Sequence, residues 1–157
     1  MKQSRRLDPL LRRAQDHEDE VARVLAERQQ SLDMHQSRLE ELRRYAEEYA
    51  NQQMASAQMA ATSPAQLMNR RAFLDRLDSA VQQQSQTVDH NRERVDAERA
   101  RLLLASRDKQ VLEQLAASYR AQEQKVEDRR DQREMDDLGA RRVRLAQQAA
   151  ADEGKSS

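Results

Sequence analysis

The chain of 157 residues has no cysteine and no tryptophan, two glycines, two prolines and four aromatic side chains, Tyr45, Tyr49, Phe73 and Tyr119. Each shortage removes a class of protein. Without cysteine there is no disulfide framework and no thiolate metal site. Glycine occurs only at 139 and 154, so a glycine-rich phosphate loop cannot be built. Aromatics at 3% leave too little large apolar surface for an ordinary globular core. The longest apolar run is LLLA at 102–105, far short of the ~20 residues that span a bilayer as a helix. The N-terminal MKQSRRLDPLL is basic but leads into no apolar segment, so no signal peptide is expected. The formal net charge is zero. A protein without cationic excess lacks the force that drives phosphate binding, so nucleic acid is not expected as a partner.

Charge and helix formers are abundant. Charged residues make up 36% of the chain, and the uncharged remainder is mostly Leu, Ala, Gln and Met, which favour helix. No apolar/polar alternation bounded by turn residues reads as a strand. The composition is that of long helices or a coiled coil. Positions spaced four and three from Leu7 to Gln53 are apolar in ten of fourteen cases, with Glu18, Arg28, His35 and Gln53 as exceptions. From Leu74 to Tyr119 a second such series is again apolar in ten of fourteen, with Gln84, Asn91, Glu98 and Lys109 as exceptions. Two seams of this length predict a coiled coil.

Between the seams, Thr62-Ser63-Pro64-Ala65-Gln66 supplies a capping serine, a proline at the first helical position and a glutamine at the third. Asp8 and Pro9 open the first helix in the same way. The expected fold is all-α: a long antiparallel two-helix coiled-coil hairpin with a C-terminal single-helix overhang. Helix one is expected over about 8–59, the turn at about 60–63 and helix two over about 64–146. An N-terminal segment, 1–7, precedes them, and a disordered tail, 147–157, follows. A short connection makes the helices antiparallel neighbours. In that register Leu25 faces Leu102, Leu32 faces Val95 and Leu39 faces Val88. Glu18 faces Lys109, Arg28 faces Glu98 and His35 faces Asn91, polar pairs of a kind that can set register. Leu42 against Gln84 and Gln53 against Leu74 are mismatches.

The residues present support no catalytic constellation. His17, His35 and His90 are scattered, and two histidines without cysteine make a poor metal site. The acidic run DHEDE at 16–20 has neither the glycine nor the spacing of a calcium loop. No enzyme activity, metal, cofactor or small-molecule substrate is therefore expected. Arg129, Arg130, Arg133, Arg141, Arg142 and Arg144 crowd the C-terminal part of helix two. Asp128, Asp131, Glu134, Asp136 and Asp137 interleave with them, which reads as a solvated helix laced with i,i+4 pairs.

Near the turn, Leu42, Tyr45 and Tyr49 on one helix and Phe73, Leu77 and Ala80 on the other form a stripe wider than the seam needs. Tyr49 belongs to the seam, whereas Tyr45 and Phe73 lie one step off it. Either these side chains plug the mismatched layers around Gln84 and Gln53, or they form a docking patch, where exposed aromatics are enriched.

RLDPLLRRAQDHED, LEELRRYAEEY, NRRAFLDRLDSAV and REMDDLGARR, in this order from Arg6 to Arg142, resemble the flagellar export stalk protein FliJ family. Gly139 departs from the last block, where a helix-favouring residue is expected. The resemblance implies a non-catalytic stalk similar to the shaft subunit of rotary ATPases. Its implied partners are the hexameric export ATPase, the membrane export-gate protein and export chaperones. The implied location is cytoplasmic, peripheral to the inner membrane at the flagellar base. Leu42, Tyr45, Tyr49, Phe73, Leu77 and Ala80 match the family's gate contact. Arg38 and Gln84 depart from it, standing where the family has glutamine and histidine. The arginine-rich end (Arg129, Arg130, Arg133, Arg141, Arg142), beside the paired termini, would meet the ATPase ring. An injectisome stalk keeps the same fold, and a scaffold whose heptads assemble between chains remains a third reading.

Overall fold

The computed structural model describes residues 2–59 and 63–155. Most of the turn expected at 60–63 thus lies outside the described residues. All the regular structure described is helical: α1 (Gln3–Arg6), α2 (Asp8–Met59) and α3 (Pro64–Lys155). The chain divides into two units, Ala14–Arg107, and Met1–Arg13 with Asp108–Ser157.

The helix starts follow from local chemistry. Leu7 carbonyl accepts the Leu11 N–H at 2.8 Å, closing the first turn of α2 around Pro9, whose missing N–H costs nothing there. At the head of α3, Ser63 Oγ accepts the Gln66 N–H at 3.3 Å, and Ser63 carbonyl accepts the Leu67 N–H at 3.1 Å. This is the N-cap bond expected of serine before proline. α3 continues through Lys155, past residue 146 where the sequence reading ends it. Residues 145–151, LAQQAAA, are helix formers that lose little side-chain entropy in a helix.

In the Ala14–Arg107 unit, cross-helix contacts run in opposite directions along the two helices. Arg99 meets Gln29, Gln84 meets His35, and Phe73 meets Tyr49. The unit is therefore an antiparallel two-helix hairpin. Its core is Leu32, Leu39, Val88 and Val95, with Leu25 and Val81 packed against it. Along both helices of the chain, every position of the two apolar series is buried or half-buried. The 3.5-residue spacing alone thus picks out the inward face of each helix. Outside the seam, Glu20–Arg23, Asp89–Arg92 and Asp96–Arg99 pair within one turn. Such exposed pairs support helix locally and contribute little to tertiary stability.

In the other unit, α1 packs on α3 through a polar clasp that the sequence reading did not foresee. Ser4 is buried, and both its backbone N–H and its hydroxyl donate to the Glu123 carboxylate, at 3.1 and 2.7 Å. Lys2 Nζ reaches Glu127 at 2.6 Å. Helix two therefore finds intrachain partners as far along as Glu127. From Asp128 to Lys155 every residue is exposed, which makes that stretch a single helix.

The two Ser4 hydrogen bonds, hydroxyl first, hold the Glu123 carboxyl below the usual carboxylate range, with Lys2 and Arg120 adding to the effect. A depressed folded-state pKa contributes stability above the unfolded pKa, lost as pH falls through the folded one. The Ser4 amide resonance is therefore expected to hold its position from neutral pH down through the ordinary carboxylate range. It should shift only at still lower pH, and Glu123→Gln should abolish the transition.

Candidate partner-docking surfaces

The aromatic stripe lies on one edge of the hairpin unit. Tyr49 and Phe73 meet edge to face, with ring centroids 4.6 Å apart and planes at 62°. Such a contact is favourable by ~1 kcal/mol beyond area burial. Both rings are half-buried, as are Leu42 and Ala80, and Leu77 is buried. Tyr45 stands off the seam and is 51% exposed. The six residues thus divide by role in packing: Leu77 closes the seam, Tyr49 and Phe73 cover it, and Tyr45 projects to solvent. Ala46, Ala50, Leu74 and Val81, with Arg43, Glu47 and Asp78, line a shallow groove in the same unit.

Several of the seam's polar residues find hydrogen-bond partners. Gln84 Nε2 donates to the His35 carbonyl at 3.0 Å and lies 3.2 Å from His35 Nδ1. Asn91 is buried and donates to the Thr87 carbonyl of its own helix at 2.8 Å. Glu98 takes Arg101 at 3.2 Å. Arg28 is half-buried on α2. Glu18 belongs to the hairpin unit and Lys109 to the other; Lys109 lies 4.0 Å from Glu113. Facing positions set Gln84 against Leu42, about two helical turns from His35, so the His35–Gln84 bond departs from the expected register.

Toward the C-terminal end, Arg129, Arg130, Arg133, Arg141 and Arg142 are all exposed on the single-helix stretch of α3. Gln124 donates to Asp128 and Gln132 to Asp136, so neighbouring carboxylates are engaged along the helix. Val126, Met135, Leu138, Val143 and Leu145 are exposed there too. Among the described residues, no group of three or more His, Asp or Glu could hold a metal ion, and no helix is long and apolar enough to cross a membrane.

The hairpin unit carries the aromatic edge, and the other unit carries the exposed arginine-rich stretch. A family model described as the flagellar FliJ protein matches residues 2–148. The chain belongs to the FliJ family. No curated protein and no solved structure matches it. The matched span of this FliJ chain takes in α1, α2 and all but the last residues of α3. Membership makes it a flagellar, export-related stalk protein of a non-catalytic family.

Proposed function

We propose that this FliJ protein is the coupling stalk between the export ATPase hexamer and the membrane export gate, and that it assists in handling export chaperones. The observation that carries the proposal is the family match across residues 2–148 on a chain whose seam closes within itself around Leu32, Leu39, Val88 and Val95. A seam satisfied within one chain disfavours a scaffold that assembles through its heptads. The flagellar family match supports the flagellar system over the injectisome.

In this reading Leu42, Tyr45, Tyr49, Phe73, Leu77 and Ala80 form the gate-docking edge. Tyr45 and the outer faces of Tyr49 and Phe73 supply contact area, and Leu77 holds them in place from beneath. Arg129, Arg130, Arg133, Arg141 and Arg142 form the ATPase-facing end, where interleaved charges make weak, exchangeable contacts. Within the hairpin unit, Arg28 with Glu98 and His35 with Gln84 act as polar layers of the seam, disfavouring slipped registers rather than adding stability. The protein works at the cytoplasmic face of the inner membrane, at the flagellar base.

Co-purification tests the proposal. Tagged full-length protein, expressed in the source organism, should bring down both the export ATPase and the gate protein. Recovery of neither would overturn the coupling role. Recovery of the ATPase alone would overturn the gate assignment.

A further inference from the structure

The layer of the hairpin nearest the end of α2 is unlike the rest of the seam. Gln53 Oε1 and Arg70 Nη1 are both buried and have no hydrogen-bond partner among the described residues. The two side chains line one groove, with Met54 and Leu67 on its walls. A buried acceptor and a buried donor without partners keep their full desolvation penalty for as long as the helices stay closed. In the layers around Leu32 and Val95, opening would expose apolar surface and gain nothing in return. Here opening returns two polar groups to water.

Packing falls away in the same direction. Among the described residues, no α3 side chain between Pro64 and Arg76 is buried, and none in α2 beyond Leu39. Met54 and Met68 point their apolar surface to solvent, at 68% and 73% exposed, rather than closing the layer. The Tyr49–Phe73 ring contact, backed by Leu77, is the first layer inward with large apolar contact.

We propose that this end of the hairpin is a clamp: the helices separate locally at the Gln53–Arg70 layer, and the Tyr49–Phe73 layer stops the separation from travelling inward. The driving force is release of the two orphaned polar groups. The stop is aromatic and aliphatic burial. Because the clamp borders the aromatic edge, anything that docks there and prefers one clamp state shifts its population. The opening itself needs no partner.

Hydrogen exchange on the full chain at neutral pH tests it. Amides in 50–56 and 67–74 should exchange at least about tenfold faster than those in 84–102, as expected for sub-global opening. Faster exchange near a helix end would also follow from simple fraying, so the deciding arm is a variant. Gln53→Leu with Arg70→Met removes both orphaned groups while keeping side-chain bulk. It should slow exchange in the bend segments by about tenfold and leave 84–102 unchanged. Gln53→Leu alone should give a smaller slowing in the same segments and decides the matter if the double variant misfolds. Phe73→Ala should carry fast exchange inward past Leu77. Unchanged or faster bend exchange in the Gln53 and Arg70 variants would overturn the clamp, as would uniform protection in the parent.

Discussion

Val88→Asp unfolds the hairpin unit. Val88 is 2% exposed and sits among Leu32, Leu39 and Val95. Losing the valine forfeits about 2 kcal/mol of apolar burial. The incoming carboxylate is ionised with no built partner, or protonated against its preference, and either costs several kcal/mol more. Together these approach the ~5 kcal/mol at the lower end of domain stability. A hairpin with so few buried apolar residues has little margin. The thermal midpoint followed by circular dichroism at 222 nm should fall by more than about 20 °C or the cooperative transition should vanish. Leu104→Asp, at a side chain 58% exposed in the same unit, should melt with the parent. A Val88→Asp protein melting within about 5 °C of the parent would show that the seam does not hold the fold.

Tyr45→Ala with Phe73→Ala separates docking from folding. Tyr45 is half in solvent, so its truncation costs the free protein little. Phe73 loses its edge-to-face contact with Tyr49, about 1 kcal/mol, plus part of its apolar burial. The double variant should therefore stay helical and melt only moderately earlier. If the aromatic edge docks the gate protein, two central aromatic anchors at ~2 kcal/mol or more each imply at least a thousandfold loss of affinity. Motility should be lost with it. Tyr119→Ala, which lies in the other unit, should bind the gate protein normally. Gate affinity within tenfold of the parent would make the stripe a packing feature only.

These two experiments address different interactions on the same helices, and the sequence makes them unequally legible. The inward face was readable because it depends on one local quantity, the spacing of apolar residues along a helix. Leu32, Leu39, Val88 and Val95 are buried where the period places them. The cap of α3 was readable for the same reason, since Ser63 and Pro64 act on backbone groups within one turn, whereas Asp8, expected to cap the first helix, lies inside α2. The aromatic edge near the turn was readable as a surplus over what two positions per heptad require.

What escaped depends on side-chain reach across space. Facing positions put His35 opposite Asn91, yet His35 is bonded by Gln84, and Asn91 turns back to Thr87 of its own helix. Ser4 falls in the short N-terminal segment 1–7, and its value lies in Glu123, a residue 119 positions away. The two orphaned atoms at Gln53 and Arg70 are visible only once both helices are in place. The sequence by itself determined that this protein is two long helices with matched apolar seams, because helix period and capping are local and are repeated along the chain. Tertiary structure alone decided which polar atoms are satisfied and which are left without a partner. Hydrogen bonds depend on ångström distances and angles, and no spacing rule along the chain carries that information.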